Sequence, residues 1–337
     1  MIFIQVSILF LILLYIFKYL SPKLNLIDEP NFRKKHKGSV PVIGGLILYV
    51  TFLFITLSVE SNYYFEIIIY TSSLLIVLGA IDDSKEIGVV FRLINQLICC
   101  LIVIGSGLMI RDIGNYYLIP NLELGILSLI FTVICVIGLT NSFNFIDGED
   151  GLCSGLSLIS IFNIVLIIYF SGKIELLNEI TFLLLIAFSI LIFIFFNLTN
   201  FSKIFLGDSG STLLGFFISW LLIFYSQDEN GLIHPVLTLW IVALPVLDLF
   251  SVVIRRLIKK INPFRPDRLH IHHIMTDFGY SRKLSVIIIL FSSVILNLFG
   301  FLIFYLFNPL FCLITFFLII LIYVFSMVKI SKKLISN

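Results

Sequence analysis

The stretch NSFNFIDGEDGL, residues 141–152, decides how this chain is read. It holds two amides, three carboxylates and two glycines, and it lies between apolar runs at about 125–140 and 155–170. So many polar groups beside runs long enough to sit in hydrocarbon are too costly to be idle. Outward from this insert, runs of about 20 apolar residues recur along the chain, each able to cross a hydrocarbon core about 30 Å thick. Of 337 residues, 60% are hydrophobic and 12% charged, whereas a soluble domain carries about 25% charged residues. The composition excludes an ordinary soluble domain. It predicts an all-α fold, a polytopic integral membrane helical bundle spanning 1–337 as one domain.

Eleven apolar segments can be delimited, at about 2–20, 41–59, 64–81, 93–110, 125–140, 155–170, 179–197, 212–225, 235–258, 284–304 and 307–328. The first has neither a basic start nor a small-residue cleavage site, so a retained span is expected rather than a signal peptide. Pro245 and Asp248 inside the ninth predict a kink turned toward protein. With eleven spans, 20 of the 22 Lys and Arg residues fall on one side, leaving only Arg111 and Lys173 on the other. Basic residues favour the cytoplasmic side, so the amino terminus is expected outside and the carboxyl terminus in the cytoplasm. The five cysteines lack CxxC spacing and read as reduced packing residues. The external stretch 111–124 is expected to form a small extended element.

Every polar cluster then opens onto the cytoplasmic face, in segments at about 82–92, 141–154, 198–211 and 259–282. Asp82 and Asp83 end the third span in GAIDDSKEIG (79–88). Adjacent carboxylates repel, which favours a retained proton or a cation between them; a solvated helix end is the plainer alternative. In the central insert, Asn141, Asn144, Asp147 and Asp150 recur every third residue, about 60° apart on a helix. Gly148 and Gly151 predict that the helix breaks there. The amides suit a base or sugar, the carboxylates a metal or hydroxyls.

FLGDSGST (205–212) places Asp208 just before a span. Free amides at a helix start favour phosphate, and Mg²⁺ prefers carboxylate and phosphate oxygens together; a simple helix cap is the alternative. PFRPDRLHIHHIM gathers Arg265, Arg268, His270, His272 and His273. Three histidines in four residues raise the question of zinc, but no Cys or well-spaced fourth ligand accompanies them. Arg forks and His donors suit a diphosphate, and a basic loop on lipid headgroups is the alternative. In DEPNFRKKHKGSVPVIGG (28–45), the cations read as a lipid- or nucleotide-attracting patch or as a topology signal. Gly44 and Gly45 there predict close backbone packing.

Together, DEPNFRKKHKGSVPVIGG, the Asp82–Asp83 pair, NSFNFIDGEDGL, KIFLGDSGST and PDRLHIHH resemble, in order, the motifs of the polyprenyl-phosphate N-acetylhexosamine-1-phosphate transferases. The resemblance implies an enzyme of the bacterial inner (plasma) membrane. Such an enzyme moves N-acetylglucosamine 1-phosphate from UDP-GlcNAc to undecaprenyl phosphate, releases UMP, and starts an envelope polysaccharide. It implies Mg²⁺, or Mn²⁺, held by Asp208 with Asp83; catalytic roles for Asp82, Asp83, Asp147 and Asp150; and substrate contacts from Asn141, Asn144, Arg265, Arg268, His270, His272 and His273. The family often has arginine straight after the acidic pair, where this chain has Ser84. HIHH without a nearby acid favours a UDP-GlcNAc-type donor over the family's MurNAc-pentapeptide branch. Another UDP-N-acetylhexosamine is the alternative donor. A carboxylate-lined transporter is the rival from another class, and it would place polar residues deep in several spans. A second copy of the chain is a further candidate partner; no nucleic acid is expected.

Overall fold

The computed structural model describes residues 1–29, 38–85, 87–116, 122–227, 231–258, 260 and 270–336, without the side chains beyond residue 330. Its helices are α1 (Ile2–Leu20), α2 (Gly44–Ser58), α3 (Tyr63–Lys85), α4 (Val89–Gly105), α5 (Ser128–Ile146), α6 (Leu152–Ser171), α7 (Leu177–Leu198), α8 (Gly207–Gln227), α9 (Pro235–Ile241), α10 (Ala243–Ile258), α11 (Ile271–Asp277), α12 (Arg282–Leu306) and α13 (Pro309–Ser336). Eight are long and apolar enough to cross a membrane, and α9 with α10 forms a ninth candidate. The expected eleven are reached only if the shorter apolar helices α2 and α4 also cross. The sequence missed α11, a two-turn helix, and the two-residue antiparallel pair β1 (Ile27–Asp28) and β2 (Val40–Pro41). In the stretch 111–124, an isolated antiparallel bridge joins Asp112 to Glu123.

Helix α8 is the axis of the bundle, and every residue from Ser209 to Tyr225 is buried. Between apolar helices in lipid, association depends on close packing rather than on the hydrophobic effect, so small residues collect at the contacts. A Cβ on Gly45 of α2 would strike the Gly210 backbone, and one on Gly79 of α3 would meet Ser209 Cα at 2.5 Å. The first turn of α2 is stitched to the chain before α8 as well: Gly44 N–H donates to Phe205 O (2.9 Å) and Gly45 N–H to Leu206 O (3.0 Å). The close packing expected of this glycine pair is present, and it fixes where α8 begins.

The ninth span is broken, with α9 and α10 meeting at 80°. Pro245 has no N–H for the carbonyl of Ile241, four residues back, and an unsatisfied carbonyl in hydrocarbon costs several kcal/mol. Neighbouring helices supply the donors. Ser160 Oγ of α6 donates to Ile241 O (3.4 Å) and Ser142 Oγ of α5 to Pro245 O (2.6 Å). Asn297 of α12 donates to Trp240 O and to Ser293 O (3.0 Å) and accepts from Asn163 Nδ2 (2.8 Å). Asn297→Leu is therefore expected to destabilise the detergent-solubilised protein by about 1–2 kcal/mol, read as a lowered midpoint of thermal unfolding. An unchanged midpoint would mean the break is held by packing alone.

Candidate active site

The α5–α6 connection is tighter than the sequence implied. Asn141 and Asn144 are still helical, α5 ends at Ile146, and α6 restarts at Leu152. Gly151 takes φ 76°, the left-handed region that glycine enters without strain, and its N–H donates to Asn197 Oδ1 (2.7 Å). The other segments contract likewise: Asp82 and Asp83 lie on the last turn of α3, and Asp208 on the first turn of α8.

Asp83 sits at a helix C-terminus, where the macrodipole disfavours an anion. Its carboxylate instead faces the N-terminus of α8, where the dipole favours one. Oδ1 accepts from Asp208 N–H (2.7 Å), and Oδ2 from Ser209 N–H (3.2 Å) and Ser209 Oγ (2.9 Å). It acts as a cap supplied by another helix. Asp82 Oδ1 accepts from Ile87 N–H (2.6 Å).

Arg92 of α4 joins the two acidic segments. Its Nη1 is 3.1 Å from Asp82 Oδ2 and 3.2 Å from Asp208 Oδ2. From the sequence it had only a topological reading. Asn144 Nδ2 donates to Asp208 Oδ1 (3.0 Å) and Ser211 Oγ (2.9 Å). Asp208 keeps 40% of its side chain exposed, against 4% for Asp82, so Asp208 is the carboxylate of this pair open to a ligand.

Asp147 lies just past the end of α5. Burial pushes its carboxyl well above the usual carboxylate range, and the charges of Asp208, Asp83 and Asp150 push it further. Asp147 thus lies within electrostatic reach of both aspartate segments. Glu149 is raised too, chiefly by burial, while Arg282 opposes the shift from 3.6 Å.

Two insert residues are occupied otherwise. Asp150 pairs with Lys203 (2.6 Å). Asn141 spends its amide hydrogens on Gln96 Oε1 (2.7 Å) and Ile137 O (2.8 Å), tying α5 to α4. Gln96 and Asn197 were not signalled by the sequence, and Lys203 only as the first residue of KIFLGDSGST, because each acts on a partner far away in the chain.

The histidines approach the insert from the other side. His272 is buried, its ring packs where a Cβ on Gly148 would collide, and it lies 4.1 Å from the His273 ring. His270 packs 5.6 Å from Phe145. Arg265 and Arg268 lie outside the described residues.

A divalent cation fits this donor set. Among the described residues, the Asp147 carboxyl has no hydrogen-bond or ion-pair partner, and the charges of Asp208, Asp83 and Asp150 act on it. No group of three Asp, Glu, His or Cys side chains forms a ready metal cage among the described residues. Mg²⁺ rarely uses one; it takes one or two carboxylates and completes its shell with phosphate oxygens and water.

Residues 65–226 match the model of glycosyl transferase family 4, a span that holds both aspartate segments, Arg92 and the insert. The chain is 32% identical over 292 residues to the undecaprenyl-phosphate alpha-N-acetylglucosaminyl 1-phosphate transferase of Yersinia pestis, covering 85% of this chain and 79% of that one. It is 34% identical over 326 residues to the protein of the same name from Haemophilus influenzae, covering 93% and 89%. The Escherichia coli K12 protein of that name is 34% identical, covering 85% and 79%. A cluster of carboxylates at helix ends inside the matched span, in a chain that aligns along most of its length with these enzymes, accords with what the comparisons show: this protein is a transferase that belongs to glycosyl transferase family 4.

Proposed function

We propose that the protein transfers N-acetylglucosamine 1-phosphate from UDP-GlcNAc to undecaprenyl phosphate, giving undecaprenyl-diphospho-GlcNAc and UMP. This would be the first membrane step of an envelope polysaccharide of the O-antigen, common-antigen or teichoic-acid type. The observation that carries the reading is the convergence of Asp82, Asp83, Asp147 and Asp208 at the end of membrane helices, in a chain similar to enzymes named for this activity. A transporter would need polar groups through the depth of several spans; here the carboxylates gather at one end.

The lipid phosphate attacks the β-phosphorus of the nucleotide sugar. A new P–O bond forms, the bond to UMP breaks, and UMP leaves with the electron pair. Both reactants are anions, so stabilising charge in place is the main task of the site. Asp208 and Asp147 would hold Mg²⁺ or Mn²⁺, which when bound would supply Lewis-acid neutralisation of the diphosphate. Asp83 holds the first turn of α8, and so aims Asp208, rather than offering a free oxygen pair. Arg92 balances Asp82 and Asp208 and stands within reach of an arriving phosphate. Asn144 fixes Asp208 in its rotamer. Asp82, bonded and enclosed, is the candidate proton acceptor for the lipid phosphate. Asp150 with Lys203 secures the insert. The histidine helix and the arginines before it would hold the nucleotide end.

The purified protein, given undecaprenyl phosphate and a panel of UDP-sugars, is expected to release UMP fastest from UDP-GlcNAc. Preference for another N-acetylhexosamine would keep the chemistry and replace the donor. In the proposed topology of the bacterial inner membrane, reporters fused at the amino terminus read outside, and those within 259–282 read cytoplasmic. The reverse would put the cleft on the side lacking UDP-sugars.

A further inference from the structure

Asp248 lies in α10, just beyond the 80° break, and is almost fully buried. A carboxylate there must be paired to be tolerated. Its two oxygens are spent on the start of the histidine helix: Oδ2 lies 2.7 Å from His270 Nδ1, and Oδ1 accepts from Ile271 N–H (3.0 Å). Tyr323 of α13 lies within electrostatic reach of Asp248 and of Arg255 of α10. Three residues earlier, the carbonyl of Pro245 takes the Ser142 hydroxyl from α5, the helix that ends in the central insert. One turn of α10 thus grips both the stem of the insert and the histidine helix.

We propose that Asp248 is a positioning residue that fixes the orientation of His270 and reserves its Nε2 for an oxygen of the nucleoside diphosphate; this rests on the donor reading above. A carboxylate accepts, so Nδ1 is the nitrogen that donates, and the ring cannot turn over without breaking that bond. Among the described residues, Nε2 has no hydrogen-bond partner. The ring is wedged beside Phe145 and runs nearly parallel to His272, 8° off at 6.0 Å, while His272 itself rests on Gly148. Partners that orient a metal-ligating histidine typically change affinity or activity by about 10- to 100-fold when removed, and a loss of the same order is expected for a histidine oriented toward a diphosphate.

The test is a double-mutant cycle on the full-length protein in detergent, with UDP-GlcNAc and undecaprenyl phosphate, following kcat/KM and the melting temperature. Asp248→Asn can still accept from Ile271 N–H but sets an amide against Nδ1. It is expected to lower kcat/KM by about 10- to 100-fold in the wild-type background, and by less than about twofold in His270→Ala, because the partner it acts through is gone. Equal losses in both backgrounds would overturn the proposal, since a purely structural role adds. Where Asp248→Asn lowers the melting temperature, His270→Asn decides: it keeps a donor for Asp248 and lacks Nε2. Lost turnover with an unchanged melting temperature supports the proposal, and full turnover overturns it. A wild-type protein that ignores UDP-GlcNAc would overturn the donor reading alone, and the cycle is then read on whichever UDP-sugar it uses.

Discussion

Asp208→Asn removes UMP release, lowering turnover by on the order of 10³-fold, while leaving thermal stability within about 1 kcal/mol of the parent. The substitution keeps size and shape. Asn still offers an oxygen to Asn144 Nδ2, which donates to Oδ1 at 3.0 Å. It loses the charge that faces Arg92 at 3.2 Å, on the carboxylate that is 40% exposed. That pair is half open to solvent, so its loss costs little stability. Affinity for a divalent cation should fall with activity, which titration with Mn²⁺ can follow by electron paramagnetic resonance. Normal turnover with normal Mn²⁺ binding would take Asp208 out of the proposed metal site.

Asp83→Ala gives the second large effect, on a different quantity. It leaves the N–H groups of Asp208 and Ser209 and the Ser209 hydroxyl without their acceptor at the first turn of α8. Losing charge-assisted bonds at a helix start, around the helix that centres the bundle, is expected to cost about 2–4 kcal/mol. Activity falls too, because the turn that carries Asp208 is no longer fixed. Asp83→Asn, retaining one acceptor oxygen, should recover part of the stability. Thermal unfolding with and without UMP separates the two variants: Asp208→Asn melts like the parent, Asp83→Ala well below it. If Asp83→Ala melted like the parent, the cap would have no energetic role and Asp83 would act in the chemistry alone.

The helices were legible because hydrocarbon imposes a strict local rule. Every backbone group must be satisfied within its own segment, so length and apolarity nearly dictate where a helix lies. The apolar segments set out from sequence overlap α1–α8, α9 with α10, α12 and α13, with ends off by up to eight residues, as at the end of α13. The kink at Pro245 was visible because proline removes a specific hydrogen bond. The two-turn α11 was not, since seven residues with four polar side chains carry no clear period.

Site residues were legible as a set, because charged groups beside membrane spans are expensive and stand out singly. Their division of labour was not. Nothing local distinguishes Asp83, spent on capping α8, from Asp208, left open by it. Nor does the local sequence show that Asn141 is committed to Gln96, or that Asp150 is committed to Lys203. Arg92 looked like one more topogenic cation until α4 brought it between two carboxylates.

By itself, then, the sequence determined that this is a polytopic helical membrane protein, with its acidic and basic groups in discrete segments at span ends, because burial cost acts residue by residue. Tertiary structure alone decided which carboxylate is open to solvent, which is a cap and which cation joins them. Those outcomes depend on distances of about 3 Å between helices far apart in the chain, and packing sets such distances.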